Sequence, residues 1–457
     1  MVQPMRKLSA PFRASQKSPH FLVISVSLAV FAACASALCG QATGAEKPSV
    51  NAGEDLKFVV IVSRHGVRSP TGKADQLNRF SAQPWPEWTV QPGYLTEHGA
   101  KLMTLFGAYD RELLVSERLL AAEGCADASH ISIIADSDQR TRETGKSLAV
   151  GLMPGCSVEV RALAEGTADP LFHPLEAGVG HPDKQLATAA VSGRIGANPA
   201  ALSEAYRPQL QALEEVLSPG NSSQPKTAAG SSAKASLFDI PSSVAPGRGD
   251  HLVELHSPLG TAATMSENLL LEYIEGMAQV GWGRVDSIKL RELLQLHTAG
   301  SDIERRTSYI ARVQSSNMLS HILDSMQQAI AQKPVAGALS KPADRLLILV
   351  GHDTNLANIS GALDLAWLLD GRRDDTPPGG ALVFELWQKK GTAEYSVRTY
   401  YTAQTLDQMR NATQLTLANP PERAAVFVPG CSDANYACVW SAFQSTVRAA
   451  IDPDSVK

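Results

Sequence analysis

The chain contains little cysteine, and none of it is arranged to bind a metal. Six cysteines occur in 457 residues, without a Cys-x-x-Cys pair or a mixed Cys/His cluster. This scarcity disfavours a structural zinc site, and no metal site is predicted. Four of the cysteines lie beyond the N-terminal region, and an even number in an exported chain indicates disulfide bonds. Proximity along the chain favours the pairs Cys125–Cys156 and Cys431–Cys438.

Basic residues are not in excess, because 41 lysines and arginines stand against 46 aspartates and glutamates. The net charge of −5 therefore argues against nucleic acid as a partner. A hydrophobic content of 44% and a charged content of 19% are typical of a globular chain. The sequence contains no convincing internal repeat, and its length predicts about two or three domains.

Acidic residues are absent from residues 1–45, where four basic residues precede an uncharged stretch at 21–40. Small residues then offer cleavage sites at Ala35-Ser36-Ala37 or Thr43-Gly44-Ala45. This pattern predicts a signal peptide over residues 1–45 and a periplasmic or secreted mature chain. The alternative is a single membrane anchor, because the apolar run approaches spanning length. After cleavage, we expect no stable membrane association and a monomer.

The first chemically informative motif follows a predicted strand at residues 56–63. The strand leads directly into Arg64-His65-Gly66-Val67-Arg68-Ser69-Pro70. His65 offers a ring nitrogen that can attack, and the planar guanidinium groups of Arg64 and Arg68 match the oxygens of a phosphoryl group. Gly66 allows a tight turn. The alternative is a polar turn after a buried strand.

A second motif, Gly351-His352-Asp353-Thr354-Asn355, follows another predicted strand at residues 346–350. His352 can add a hydrogen-bond donor, and Asp353 can protonate a leaving alcohol. Arg140 lies after a predicted strand at 130–135 and at the start of a helix. Such positions bind anions in α/β sheets. For Arg140 the alternative is an ordinary exposed arginine in a first helical turn.

Together these residue types predict the hydrolysis of phosphate monoesters. A neutral imidazole at His65 can accept the phosphoryl group as a covalent phosphohistidine, provided that its other nitrogen is held by a hydrogen bond. Arg64, Arg68 and Arg140 would stabilise the charge on the phosphoryl oxygens. Asp353 acts as an acid only where it stays protonated. We therefore expect an acid optimum. Because the arginines supply the positive charge that a magnesium ion would otherwise provide, we expect no cofactor and no required metal.

The two motifs resemble those of the histidine acid phosphatase family, in which the first is Arg-His-Gly-x-Arg-x-Pro. Within the family, the chain looks most similar to the periplasmic bacterial phytases. The resemblance implies a His65 nucleophile, an Asp353 proton donor and a small-molecule phosphate monoester as substrate. It implies the following substrate- and phosphate-binding residues: Arg64, Arg68, Thr71, Arg140, Glu267 and His352.

Two of these positions leave alternatives open. Bacterial phytases of this type often place a lysine directly after the threonine of Arg-x-Pro-Thr, whereas Gly72 follows Thr71 here and Lys73 comes one place later. Lys73 takes that role after a small loop shift, or the site binds a polyphosphorylated ring less tightly. Glu267 is either a substrate contact or a solvated helix residue.

Fold class and domain organisation follow from the order of the predicted elements. Strands, helices and the two motifs predict a mixed-sheet α/β domain from residues 50–162 and 341–457, which the resemblance implies is phosphoglycerate-mutase-like. An antiparallel pair is predicted at 381–387 and 395–401. The pattern changes over residues 163–340, where it predicts an inserted, mostly helical cap. Its helices are expected near 200–217, 259–278, 287–299 and 302–332. Residues 218–250, rich in Ser, Ala, Gly and Pro, predict a flexible insertion.

Three functions are compatible with these observations. The first is an acid phosphatase that hydrolyses phytate, myo-inositol hexakisphosphate. The second is a narrower sugar phosphatase of the glucose-1-phosphatase type. The third is a periplasmic phosphate-binding protein without turnover, which the presence of Asp353 disfavours because a binding protein needs no proton donor.

Overall fold

The strand that precedes the first motif lies in the middle of the main sheet. The computed structural model describes residues 53–72, 74–220 and 234–457. Its strands are β1 Glu54–Arg64, β2 Ile131–Ala135, β3 Val160–Arg161, β4 Ser243–Pro246, β5 Val253–His256, β6 Leu346–Gly351, β7 Leu368–Leu369, β8 Arg372–Arg373, β9 Ala381–Lys389, β10 Tyr395–Ala403, β11 Glu422–Ala425 and β12 Ala437–Val439.

Helices precede, follow and connect these strands. They are α1 Ala74–Asn78, α2 Glu97–Ser116, α3 Gln139–Leu152, α4 Lys184–Arg194, α5 Pro199–Ala205, α6 Arg207–Leu217, α7 Pro258–Ile274, α8 Ser287–Arg305, α9 Ser308–Ala331, α10 Asp353–Ala362, α11 Leu406–Arg410 and α12 Trp440–Ala450. Among the described residues, no helix is both long and apolar enough to cross a membrane. The predicted signal peptide lies outside the described residues.

The main sheet has eight strands in the order β11-β10-β9-β1-β6-β2-β3, with β12 also paired to β10. β1 and β6, β6 and β2, and β2 and β3 are parallel. β1 pairs with β9 in antiparallel orientation, and so do β9 and β10, as predicted for the latter two. The mixed α/β fold class is therefore confirmed.

Helices cover both faces of the sheet. Successive side chains of β1 point to opposite faces, and they pack alternately in two hydrophobic clusters. Phe58, Val60 and Val62 pack in a cluster with residues of α9, α10 and α12. Val59 and Ile61 pack in a second cluster with residues of α2 and α3. The parallel strands β1, β6 and β2 are thus buried on both sides, which fits their near-continuous apolar sequences.

A third hydrophobic cluster consists mainly of residues from α4, α6, α7 and α8. These helices correspond to the predicted cap, although its boundaries at residues 162 and 341 stay predictions. The helix expected near 200–217 is two helices, α5 and α6, and Tyr206 separates them. Part of the predicted flexible insertion is regular, since β4 pairs with β5 in a hairpin. Residues 221–233 lie outside the described residues.

The disulfide pattern has the pairing that proximity predicted. Cys125 is bonded to Cys156, with a Cα–Cα distance of 5.5 Å, and Cys431 is bonded to Cys438, with 5.2 Å. The first bond joins the segment before β2 to the segment after α3. The second closes a loop beside β12.

Candidate active site

The carboxyl ends of three neighbouring parallel strands meet at the candidate site. His65 follows β1, Asp136 follows β2 and His352 follows β6. The His65 amide donates to Gly351 O at 2.9 Å, and the Asp136 amide donates to Val350 O at 3.0 Å. The sheet hydrogen bonds therefore continue into the loops and fix the first chemically active residue of each one. Ligands of open α/β sheets bind at this edge.

His65 is buried, with 2% of its surface exposed, and a hydrogen bond fixes the orientation of its ring. Its Nδ1 lies 2.8 Å from Gly66 O. Because a carbonyl oxygen only accepts, Nδ1 carries the proton and Nε2 of the neutral ring keeps its lone pair. Burial lowers the pKa of His65 well below its ordinary value, and the charges of Arg140, Arg64 and Arg68 lower it further. The neutral, nucleophilic form of the ring is therefore favoured.

Arg64, Arg68 and Arg140 surround this ring with positive charge. Arg64 Nη1 donates to Thr376 O at 2.6 Å, and Arg68 Nη1 donates to Ser69 O at 2.9 Å. Arg140 Nη2 lies 2.5 Å from Asp138 Oδ2. The Nε atoms of all three arginines are buried and have no hydrogen-bond partner in the described part of the chain. Three N–H donors that are fixed but unsatisfied fit an anion with several oxygens.

Glu267, on α7, belongs to the interior of the site. Its Oε1 contacts Arg64 Nη2 and lies 3.9 Å from Arg68 Nη2, and its Oε2 lies 3.7 Å from His297 Nε2. Only 7% of Glu267 is exposed, so the alternative of a solvated helix residue is wrong. Burial alone would raise the pKa of Glu267, but Arg64, His297 and Arg68 lower it. Glu267 therefore balances part of the arginine charge as a carboxylate.

His352 is held by a chain of hydrogen bonds that runs toward the surface. Its Nε2 donates to Asp136 Oδ2 at 2.7 Å, and His173 Nε2 donates to the same oxygen at 3.0 Å. His173 Nδ1 contacts Asp250. Burial would lower the pKa of His173, but its hydrogen bonds to Asp136 and Asp250 raise it to about 10. His173 is therefore an imidazolium that shares Asp136 with His352.

The second nitrogen of His352 points toward the arginines. Arg140 Nη2 lies 3.4 Å from His352 Nδ1, so Nδ1 is an acceptor in this state. Burial lowers the pKa of His352, and the charge of Arg140 lowers it further, against the opposing influence of Asp136. Without an anion, His352 is neutral. A bound phosphate would reverse this balance, because its charge favours the imidazolium and turns Nδ1 into a donor.

Asp353 is the first residue of α10 and contacts a residue that the sequence did not predict. Arg305 Nη1, from the end of α8, donates to Asp353 Oδ2. Burial alone would raise the pKa of Asp353, but Arg305, Arg64 and His297 outweigh it and hold the pKa well below its ordinary value. The expectation that Asp353 stays protonated therefore does not describe the site without substrate. There Asp353 is a carboxylate.

Thr71 lies at the rim of the site and is exposed. A Cβ atom added at Gly93 would lie 3.2 Å from Thr71 Cγ2 and 3.5 Å from Arg140 Nη1. Thr71 and Arg140 thus flank the same glycine. A substrate-binding role for Thr71 stays a prediction, and Lys73 lies outside the described residues.

The sequence analysis missed five residues of this site. Asp136 lies four residues before Arg140 but was given no role in the site, and no spacing links Asp250 to the motifs. His173, Arg305 and His297 come from segments that appear in the sequence only as a loop or as helix residues. Asp136 could have been found, since it follows β2 as His65 follows β1.

Comparison with known proteins agrees with this geometry. The profile of the histidine phosphatase superfamily (branch 2) matches residues 55–218 and 273–402. The chain belongs to this superfamily. The family resemblance inferred from the two motifs is thereby confirmed, and the chain is a phosphatase.

Individual relatives include two kinds of phosphatase. The chain is 37% identical to Phytase AppA of Escherichia coli K12 over 83% of this chain and 88% of that protein. It is 29% identical to a glucose-1-phosphatase of Providencia rettgeri over 94% of this chain and 99% of that protein. Both matches extend far beyond the motifs.

Solved structures show the same fold. The phytase of Hafnia alvei in complex with tartrate superposes with a TM-score of 0.80 at 34% identity, covering 89% of this chain and 99% of that one. The phytase of Klebsiella sp. ASR1 gives a TM-score of 0.76 at 30% identity, covering 88% and 98%. A histidine-phosphatase fold of the phytase type is therefore shown.

Proposed function

We propose that this chain hydrolyses phytate and related phosphate monoesters through a covalent phosphohistidine at His65. The observation that supports this most strongly is the pairing of a free Nε2 lone pair on His65 with unsatisfied N–H donors on Arg64, Arg68 and Arg140. A nucleophile and a group of anion-binding donors thus lie together at the carboxyl ends of β1 and β2. Superfamily membership and the phytase relatives support the same chemistry.

The substrate phosphoryl group would bind through the three arginines. Each guanidinium is already anchored to the protein. Arg64 and Arg68 donate hydrogen bonds to Thr376 O and Ser69 O, and Arg140 forms an ion pair with Asp138. Binding then costs little side-chain entropy, and the donors stabilise the charge that spreads over the equatorial oxygens. His352 becomes an imidazolium and donates from Nδ1, because Asp136 stabilises that charge from the other side of the ring.

Transfer breaks the ester P–O bond and forms a bond between phosphorus and His65 Nε2. The electron pair of the broken bond stays on the leaving oxygen, which takes a proton from Asp353. In the second half, water attacks phosphorus, the P–N bond breaks with its electron pair returning to Nε2, and the water proton passes to Asp353. The products are an alcohol and inorganic phosphate, and Asp353 again carries a proton, which it releases when the product leaves.

The proton on Asp353 must be acquired with the substrate, because the empty site favours the carboxylate. An incoming phosphate adds negative charge beside Asp353 and raises its pKa. At acid pH, the substrate monoanion or the solvent supplies the proton. An acid optimum follows from this requirement.

We further propose that the mature chain is exported and acts as a monomer. The two disulfides support an oxidising compartment. The basic and then apolar N-terminal sequence supports cleavage of a signal peptide. N-terminal sequencing of periplasmic material tests this, since a retained leader would contradict it.

The decisive assay compares phosphate release from phytate and from glucose 1-phosphate at matched concentrations and acid pH. We expect a higher kcat/KM for phytate, and no turnover of either ester by His65→Ala. A preference for glucose 1-phosphate would favour the sugar phosphatase, a function that the glucose-1-phosphatase relative supports. Absence of turnover on any monoester would overturn the proposal.

A further inference from the structure

Arg305 contacts the proposed proton donor but takes no part in the mechanism described so far. Its Nη1 donates to Asp353 Oδ2, from the last residue of α8 to the first residue of α10. The Arg305 side chain is 23% exposed and that of Asp353 is 17% exposed. Both groups therefore line the site rather than the protein core. Within residues 53–72, 74–220 and 234–457, this is the only side-chain hydrogen bond of Arg305.

Several charged or titratable groups interact with Asp353, and in the described part of the chain Arg305 is the one whose side chain hydrogen-bonds to it. The others that interact with its charge are Arg64, His297, Glu267, Arg68, Arg140 and Tyr401. Glu267 already neutralises Arg64 in part through a direct contact. Among the positive groups, Arg305 therefore has the strongest influence on the protonation state of Asp353.

The Arg305–Asp353 contact conflicts with proton donation. A carboxylate that is paired with an arginine carries no proton. Asp353 must separate from Arg305 and take up a proton before it can act as an acid. The contact must therefore loosen during turnover. Arg64 and Arg68 are anchored to backbone carbonyl oxygens as well. Among the described residues, the Arg305 side chain hydrogen-bonds to Asp353 alone, so that Arg305 can exchange it for another anion.

The position of Asp353 indicates which anion this is. The acid must lie beside the leaving oxygen, and the leaving oxygen is attached to the carbon skeleton of the substrate. A cation that touches the acid therefore lies beside the leaving group and not beside the phosphoryl group in transfer. In a polyphosphorylated ring, the groups nearest to the leaving oxygen are the phosphates on the adjacent carbons.

We propose that Arg305 is a specificity-determining residue that exchanges Asp353 for a phosphate adjacent to the one being cleaved. This inference rests on the proposed function and extends it. With a neighbouring phosphate present, Arg305 leaves Asp353, which takes a proton from solvent and passes it to the leaving oxygen. With a single phosphate, Arg305 stays on Asp353, and proton donation is slow. The chain thereby distinguishes polyphosphates from monophosphates in both kcat and KM.

The test compares phytate with myo-inositol monophosphate, which has the same type of leaving alcohol but no neighbouring phosphate. For Arg305→Gln, we expect KM for phytate to rise on the order of tenfold, as for loss of one charge-assisted hydrogen bond. We expect KM for the monophosphate to stay unchanged. In the pH profile of kcat/KM for Arg305→Gln, the alkaline limb should move to higher pH, because Asp353 loses the neighbouring positive charge of Arg305.

Two further variants make the result interpretable. Arg305→Lys keeps the charge but not the planar donor group, so its KM for phytate should fall between the wild type and Arg305→Gln. Arg312→Gln is the matched control, because Arg312 is exposed on α9 and donates to Ile451 O at 3.0 Å, away from the site. It should change none of these parameters. If Arg305→Gln fails to fold, the lysine variant decides on the same readouts.

Equal losses on both inositol substrates, with an unmoved pH limb, would overturn the inference and leave Arg305 a structural residue. The proposed function is judged separately, by turnover of p-nitrophenyl phosphate in the wild type and its loss in His65→Ala. If the wild type hydrolyses that ester but not phytate, calorimetric binding of myo-inositol hexasulfate still tests Arg305. Equal affinity in wild type and Arg305→Gln would then contradict the inference.

Discussion

His352 Nε2 donates to Asp136 Oδ2 at 2.7 Å, and this hydrogen bond determines whether the other ring nitrogen, Nδ1, can donate a hydrogen bond to a phosphate. With Nε2–H held by a carboxylate, protonation of Nδ1 gives an imidazolium whose charge Asp136 balances. His173 competes for the same oxygen at 3.0 Å. We therefore expect the two histidines and the buried aspartate to act as a unit that takes up a proton when an anion binds.

Asp136→Asn should weaken phosphate binding by roughly 10- to 100-fold, because His352 loses the charge that stabilises its imidazolium. The inhibition constant of inorganic phosphate measures this effect directly. Asp344→Asn is the control, since Asp344 is equally buried but accepts from Ser132 Oγ and the Lys341 amide. Reduced thermal stability in both variants with unchanged phosphate inhibition would contradict a role for Asp136 in binding.

Asp353→Asn should reduce hydrolysis of esters with poor leaving groups by on the order of 100- to 10,000-fold. An inositol oxygen needs a proton when it leaves, whereas p-nitrophenolate leaves without one. Turnover of p-nitrophenyl phosphate should therefore fall much less. The ratio of kcat for the two substrates in one preparation is the measurement, and an equal loss for both would argue against Asp353 as the acid.

The ion pairs of His173 should make stability depend on pH. The pKa of His173 is about 10 in the folded chain, against an ordinary value of 6.5. The folded chain therefore binds this proton more tightly than the unfolded chain does. The stabilisation is complete below pH 6.5 and is lost as pH rises through about 10. His173→Gln should therefore lower Tm most in the acid to neutral range and least above pH 10.

Thermal unfolding of wild type and variant across this pH range measures the difference. His256→Gln is a suitable control, because His256 is an exposed histidine whose side chain is 59% accessible. It should show no such trend. A Tm difference for His173→Gln that stays constant from acid to alkaline pH would show that the imidazolium contacts contribute nothing.

Treatment with EDTA should leave activity unchanged. Asp136, Asp138, His173 and His352 lie close enough together to hold a metal ion. However, a protonated His173 has no lone pair for a metal, and Arg140 already occupies Asp138. Phosphate release after dialysis against EDTA, with metal content by mass spectrometry, tests this. Activity that is lost and then restored by added metal would contradict the arginine-based mechanism.

Much of the fold was predictable because its sequence signals are local. The apolar runs before both motifs predicted β1 and β6, and the strand patterns at 381–387 and 395–401 predicted the antiparallel pair β9 and β10. Tyr206 interrupts the helix expected near 200–217, and the sequence analysis overlooked the local signal of that break, Pro208 in the first turn of α6. The hairpin β4–β5 was hidden in a segment whose composition is typical of a linker.

The candidate site was predictable only where two residues are close in the chain. His65 with Arg64 and Arg68, and His352 with Asp353, are such cases. Arg305 and Asp353 are 48 positions apart, so only the packing of α8 against α10 brings them together. Gly66 shows a different limit, since its φ is not positive. A Cβ atom there would lie 2.9 Å from Met103 Cγ, so close packing, not a tight turn, requires the glycine.

The covalent intermediate at His65 is the central claim, and rapid-quench trapping tests it most directly. Enzyme mixed with phosphorus-32-labelled ester at acid pH, quenched in alkali and digested, should yield one labelled peptide that contains His65. The label should be stable in alkali and labile in acid, as expected for a phosphorus–nitrogen bond, and absent from His65→Ala. A wild-type enzyme that turns over the ester without any labelled histidine at position 65 would contradict the account.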